Sequence, residues 1–375
     1  MRINPEFADN LKKFGAVDIN ACYNCGNCTA ICPLSEADHS FPRKMLRASV
    51  LGTEDKIKAS LDPWLCYYCG ECSETCPREA NPGELMMSLR RWLTSKYDWT
   101  GLSGKLYKSF TAHLLTMVFL FCIIAAAFIV FHGPMTTELT SEGGVKINSF
   151  ADWKVIALLD HFLLGLLSFF LLSNAFNMFR NTILRDKSVK ISFRLYVKEL
   201  WKLIFHFASQ WQFSKCDKKG WYWLFHWFLM SGYVLMFILI IFLLGWFQTE
   251  KIYAWWHPQR LVGYYITAGL LLGSIYFMIG RGRKKDEAFK FSHHSDWIFI
   301  VLLSLMAITG ILIHIFRISG MPMSTYYMYA LHLAFEVPFV FTFVAFSKWS
   351  HLAYRPLAVY FDNLKKSARK VKKNN

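Results

Sequence analysis

Eight cysteines within the first eighty residues carry the chemistry of this chain. They fall in two matching runs, Cys22-x2-Cys25-x2-Cys28-x3-Cys32-Pro33 and Cys66-x2-Cys69-x2-Cys72-x3-Cys76-Pro77. Three thiolates spaced two residues apart can wrap one face of an iron–sulfur cubane. The turn at proline then carries the fourth away to a second cubane. The spacing assigns one [4Fe–4S] cluster to Cys22, Cys25, Cys28 and Cys76, and the other to Cys66, Cys69, Cys72 and Cys32. Gly26 and Gly70 stand where the backbone must curl tightly around a sulfide cage. A zinc site uses four ligands, usually two C-x2-C pairs, and leaves the third and fourth cysteine of each run unexplained. A disulfide framework needs an oxidising compartment, and the first residues do not resemble a cleavable signal peptide. Cys122, in an apolar run, is expected to pack, and Cys216 lies outside both runs.

Residues 1–95 are expected to form the domain that positions these cysteines. A helix starts at Phe41-Pro42-Arg43, with proline at its beginning, and a second short helix covers 53–60. Asn81-Pro82-Gly83-Glu84 starts a helix to about Ser95, and 96–109, with Gly101 and Gly104, is read as a hinge. Beyond it the character changes. Of the 375 residues 54% are hydrophobic and only 18% charged, less charge than a soluble domain of this size carries. The apolar surplus is segregated into six runs long enough to span lipid as helix: 110–132, 153–179, 221–247, 258–280, 297–316 and 326–349. A transmembrane domain is therefore placed at 110–355 and a basic cytoplasmic tail at 356–375.

The formal net charge is +16, but the lysines and arginines flank apolar runs, which points to topology and anionic lipid and not to nucleic acid. The 180–220 loop holds ten Lys or Arg, 281–296 five, and the tail from Lys348 eight. On the other side, 133–152 has only Lys146, 248–257 only Lys251 and 317–325 only Arg317. The positive-inside rule puts both termini and the cysteine head in the cytoplasm, on a multi-pass protein of the inner membrane. Within the basic loop, roughly 192–213 reads as an amphipathic helix, either on the membrane surface or docking a partner.

A membrane body fed by iron–sulfur clusters needs a carrier within lipid, and haem b with two histidines from different helices is the usual one. His332 and His351 lie nineteen residues apart on the last run, ~28 Å along a helix axis. Matching depth on the other helices pairs His226 with His351 for an inner haem and His161 with His332 for an outer one. His113, His132 and His314 also lie near span ends, and His206 could help line a quinone or haem-propionate site. Asp160, Gln259 and Arg260 are the polar residues nominated to meet a quinone. No G-x-G-x-x-G follows a strand, so no flavin or nucleotide fingerprint is present.

The block Asp62-Pro63-Trp64-Leu65-Cys66-Tyr67-Tyr68-Cys69-Gly70-Glu71-Cys72 resembles the small dicluster subunit of heterodisulfide reductases. Tyr329-Ala330-Leu331-His332 and Ser347-Lys348-Trp349-Ser350-His351 resemble the last helix of the cytochrome b subunit of nitrate reductase and of membrane heterodisulfide reductases. Their fusion in one chain looks like the membrane subunits of quinone-interacting membrane-bound oxidoreductase complexes of sulfate reducers. That resemblance implies a mainly α fold, a helical ferredoxin-like dicluster head on a six-helix cytochrome b-type bundle. It implies two b haems and menaquinone as substrate. It also implies flavin-containing heterodisulfide-reductase-A-like soluble partners, serving an acceptor such as adenylylsulfate reductase. One departure stands out. The nitrate reductase cytochrome carries two ligand histidines ten residues apart, but ten residues after His226 stands Met236. An outer haem must then recruit its second ligand elsewhere, the alternative being a protein with a single haem. Two contrasting expectations are a membrane anchor for a thiol/disulfide enzyme and a non-redox membrane protein with an iron–sulfur sensor head.

Overall fold

The computed structural model describes residues 3–36, 39–210 and 220–374. Cys216 and the end of the expected amphipathic helix, 211–213, lie outside them. Among the described residues the chain is helical, with only two isolated bridges and no strand.

The head comprises α1 (Phe7–Lys12), α2 (Asn27–Ile31), α3 (Arg43–Val50), α4 (Glu54–Lys58), α5 (Asp62–Leu65), α6 (Glu71–Glu74) and α7 (Pro82–Tyr97). Its spine is α7. Pro82 sits in the first turn, where its missing N–H leaves no bond unmade. Leu85, Met86, Leu89, Trp92 and Leu93 then recur at helical spacing and are fully buried. Phe7 and Leu11 of α1 and Trp64 of α5 close over that stripe, Phe7 meeting Trp92 edge-on at 5.0 Å. Each such side chain contributes about 1.5–3 kcal/mol by leaving water. The stretch read as a hinge is largely helix α8 (Leu102–Lys108), with Leu106 and Tyr107 buried. The Asp98 carboxylate accepts from the Thr100 and Ser103 backbone N–H groups at 2.9 and 2.7 Å and fastens that turn.

There follow α9 (Phe110–Phe131), α10 (Ile147–Phe150), α11 (Trp153–Phe179), α12 (Phe193–Ser209), α13 (Trp221–Phe242), α14 (Leu244–Phe247), α15 (Pro258–Arg283), α16 (Glu287–Lys290), α17 (His294–Ile318), α18 (Pro322–Val344) and α19 (His351–Asn374). Six of them, α9, α11, α13, α15, α17 and α18, are long and apolar enough to cross a membrane, so this is a multi-pass membrane protein. α13 packs on α15, α15 on α17, α17 on α18, and α18 on α9. Gly269 lets α15 close on α13: a Cβ there would lie 2.9 Å from the Phe228 carbonyl oxygen. α9 is apolar all round and hardly buried, as a lipid-facing helix is, and Cys122 is exposed on it and not packed inside.

Two breaks depart from the hydropathy pattern. The third run parts at Leu243 into α13 and α14. The sixth span starts at Pro322 and ends at Val344, and a turn through Lys348–Ser350 precedes α19. His332 is therefore near the middle of its helix, and His351 opens a different helix, so the single-axis rise between them does not apply.

The stretch 356–375, read as a tail, is helical to Asn374, and Ala358, Phe361 and Leu364 lie in the head's core. Tyr354, at the start of the same helix, packs on Trp64 with ring centroids 5.0 Å apart. α12 lies along α19: the Tyr360 hydroxyl donates to the Tyr196 carbonyl at 2.8 Å, and Ser367 to Glu199 at 2.9 Å. The opposite face of α12 exposes Phe193, Val197, Trp201 and Ile204.

Candidate electron-transfer site

The two cysteine runs fold alike. Gly26 and Gly70 take φ of +93° and +86°, and Asn24 and Tyr68 take +56° and +60°. Each run so curls before a one-turn helix, α2 or α6, and these two pack on each other. One hollow is lined by Cys22, Cys25, Cys28 and Cys76, the other by Cys32, Cys66, Cys69 and Cys72. The fourth cysteine of each run thus lines the hollow of the other. Backbone N–H groups of Asn24, Tyr68 and Ala80 donate to Sγ of Cys22, Cys66 and Cys76 at 3.3, 3.4 and 3.4 Å. Such bonds favour charged sulfur and tune a cluster's potential. Burial pushes the Cys28 thiol up to about 11, with Cys22 the next cause, and burial pushes Cys32 up to about 12. These thiols keep their protons at neutral pH until a metal displaces them, so iron loading releases protons. Four soft sulfurs per hollow, supported by N–H···S bonds, fit [4Fe–4S] clusters.

The hollows differ in surroundings. Cys25 is exposed, beside an exposed Tyr23 that the Arg78 guanidinium covers at 4.1 Å. Cys66 is buried, and Tyr67 and Tyr68 next to it also line a cavity of about 160 Å³ at the junction with the bundle. That cavity reaches His226 and His351. Tyr67 lies under the Arg355 guanidinium at 4.5 Å. Arg90 donates to the carbonyls of Pro63, at 2.6 Å, and Cys66, and so holds the second cysteine loop to α7.

A buried chain of polar groups fixes this junction. The Tyr68 hydroxyl donates to Glu84 at 2.8 Å, Arg91 donates to Glu84 at 2.9 Å, and Arg91 reaches Asp296 at 3.3 Å. Asp296 also binds Lys348 and lies 3.7 Å from Arg281. Side chains of Glu84, Arg91 and Asp296 are only 3, 6 and 3% exposed, so each charge survives only because the others neutralise it. The chain ties α7 of the head to the first turn of α17.

His226 and His351 face each other with ring centroids 6.4 Å apart. Two imidazoles on opposite sides of one metal, each nitrogen about 2.0–2.1 Å from it, would have ring centres about 6 Å apart. His226 Nδ1 meets Gln210 Oε1 at 2.7 Å, and His351 Nδ1 meets the Lys348 carbonyl at 2.5 Å. Acceptors there keep the proton on Nδ1 and orient each ring, as the outer partners of metal-bound histidines do. His206 and Arg355 line the adjoining hollow with the same two histidines. Burial holds the His206 imidazole down to about 4, with Arg355 the next cause, so it is neutral. The spacing of the two rings and their Nδ1 partners fit a haem, which His226 and His351 would hold between them.

On the far side of the bundle a cavity of about 230 Å³ lies between α11, α13, α15, α17 and α18. Asp160, Gln259 and Arg260 all line it, with His332 and Glu336. Gln259 donates to the Trp246 and Phe247 carbonyls at 2.5 and 3.1 Å and so holds the end of α14. Glu336 was missed in the sequence. Its signal was present, since a carboxyl inside a span is rare and usually functional. The expected outer pair is not brought together. His161 does not line the cavity; its ring is exposed on α11 and its Nδ1 meets the Ala157 carbonyl at 2.5 Å. Depth alone was matched, whereas a turn of about 100° per residue sends Asp160 inward and His161 outward. His132 is exposed, His314 binds Arg260 at 2.8 Å and Tyr264 at 3.1 Å, and His113 is buried against Phe343 and His294.

Residues 18–80 match the profile of the 4Fe-4S dicluster domain. Over 91 residues the chain is 35% identical to a heterodisulfide-reductase-C-like protein of Archaeoglobus profundus, a stretch covering 24% of this chain and 48% of the other. The chain thus spans about half the length of that curated relative. No solved structure matches it significantly. The head is a dicluster [4Fe–4S] domain with an electron-transfer role, carried on a multi-pass helical membrane body.

Proposed function

We propose that this chain is the electron-transfer subunit of a membrane respiratory complex, working between menaquinol or menaquinone and soluble flavin-containing, heterodisulfide-reductase-A-like subunits. Cys22, Cys25, Cys28 and Cys76 hold one cluster, Cys66, Cys69, Cys72 and Cys32 the other, and His226 with His351 a b haem. When bound, these groups supply one-electron carriers in series between a quinol and a soluble partner. The observation that carries the reading is the shared wall: Tyr67 and Tyr68 line both the second cysteine hollow and the cavity that reaches His226 and His351. The buried Glu84–Arg91–Asp296 chain keeps that wall in register. Cys25 and Tyr23, exposed at the other hollow, supply the face a soluble partner can reach. Basic loops on the head side support a cytoplasmic head and an inner-membrane body.

The likeness to a heterodisulfide-reductase-C-like protein favours a second reading, in which the chain anchors a heterodisulfide-reductase-like thiol/disulfide enzyme. Both use the same carriers and differ in the soluble partner. The test is anaerobic mixing of dithionite-reduced protein with a menaquinone analogue. Cluster absorbance is expected to recover at least tenfold faster in the wild type than in His351→Ala, with cluster content equal in both. Equal rates would remove the haem from the route.

A further inference from the structure

We infer that α12 lies in the surface of the bilayer on the head side, with its apolar face among the acyl chains and Arg194 and Lys198 at the headgroups of anionic phospholipid. This needs only the membrane body, and none of the carriers proposed above.

Both ends of α12 are fixed where spans end. Near its start the Tyr196 ring meets that of Phe179, at the end of α11, with centroids 6.4 Å apart. At its finish the Trp223 and Trp227 indole N–H groups, in the first two turns of α13, donate to the carbonyls of Ser209 and Ala208 at 3.2 and 3.0 Å. α11 ends and α13 starts on one side of the bundle. The axis between these anchors, about 25 Å for 17 residues, therefore runs across the rim of the bundle and not along the spans. Trp201 on α12 and Trp221 at the head of α13 are both exposed at this level, where indoles settle between lipid and water.

At about 100° per residue α12 divides into three faces. One turns to α19 and the head: Leu195, Tyr196 and Leu203 pack on the head's core, and Glu199 and His206 are buried. On the far side Phe193, Val197, Leu200, Trp201 and Ile204 fall within about 100° of arc and are all exposed. Arg194, Lys198 and Lys202 run along one border between the two. No acid interrupts the apolar face. Glu199, the helix's one carboxylate, is taken up by Lys202 at 2.5 Å and Ser367 at 2.9 Å. Arg194 and Lys198 are exposed.

A stripe of that width with a basic flank is the pattern of a helix lying in the membrane interface. So large an apolar face is costly in water, and the depth set by α11 and α13 puts lipid against it. The two exposed cations then stand at phosphate level, where each strengthens attraction to an anionic leaflet. α19 rides on the opposite face, through the Tyr360–Tyr196 and Ser367–Glu199 bonds, so the bilayer supports the head through α12. A soluble subunit seated on the apolar face is the rival occupant.

The test places the full-length protein in vesicles of phosphatidylethanolamine and phosphatidylglycerol that carry a diazirine on the acyl chain, and maps the photolabel by peptide mass spectrometry. Label is expected on Phe193, Trp201 and Ile204, as on α9, and not on Tyr196 or Glu199. Exchanging phosphatidylglycerol for phosphatidylcholine should lower the α12 label roughly twofold or more relative to α9. High salt, or the Arg194→Gln/Lys198→Gln variant at unchanged cluster content, should erase that difference. Wild-type α12 free of label while α9 is labelled would overturn the assignment. Shielding of the same face by soluble subunits in the native complex would likewise give it to a protein. Equal label in both lipids would refute the anionic headgroup contact.

Discussion

His39 and Asp62 meet at 3.0 Å between the two cysteine runs, where a charge pair steadies the loop leading into Cys66. The hydrogen bond to Asp62 raises the His39 imidazole above its ordinary value, burial opposing it. The stabilisation is full below the ordinary histidine pKa of about 6.5 and fades as pH rises through the raised value. Melting of the loaded head, followed by cluster absorbance, should drop to lower temperature as pH climbs past that range. His39→Gln should flatten the drop, and an unchanged pH profile in that variant would contradict the pairing. At this scale the cysteines were legible because cluster ligands are spaced along the chain itself. The histidines were only partly so. His161 and Asp160 are neighbours in sequence, and which of them faces a cavity depends on the rotation of α11, set by packing with other helices. Glu336 hid because a single carboxyl hardly lowers the hydropathy of its run.

Among the elements, the α7–α17 contact decides whether the head sits square on the bundle. It depends on Arg91, whose partners Glu84 and Asp296 are both buried. Arg91→Met would leave two carboxylates facing one another, with Asp296 still held by Lys348 and Arg281. A loss of roughly 3 kcal/mol is expected, at the low end for breaking a buried pair. Chemical unfolding in detergent checks it, and wild-type stability in the variant would show the network to be dispensable. The six spans were readable from hydropathy, because lipid demands about twenty apolar residues in a row. The break between Val344 and His351 was not, since Ala345, Phe346 and Trp349 are as apolar as the helix before them and are buried in the turn. Nor was the Arg91–Asp296 pair, whose members stand 205 residues apart.

For the whole molecule, head and body are not separable modules joined by a flexible strap. α8 fills the stretch between them, and α19 returns from the last span to complete the head's core. A chain ending at Arg355 would lack Ala358, Phe361 and Leu364, which lie in that core. It is expected to lose most of its iron and acid-labile sulfide and to become protease-sensitive between α1 and α7. Full cluster loading in the truncated protein would contradict the packing. Sequence showed the segment to be basic and could not show its partner, because an amphipathic helix does not name the surface that covers it.

The central proposal is that His226 and His351 would hold a haem in the cavity that shares Tyr67 and Tyr68 with the second cysteine hollow. The reduced-minus-oxidised visible spectrum of anaerobically purified protein tests it most directly, read against His351→Ala at equal iron–sulfur content. A b-type band in the wild type that falls by about half in the variant is the predicted result. A spectrum without any haem band, in protein whose head carries its full complement of iron and sulfide, would contradict it.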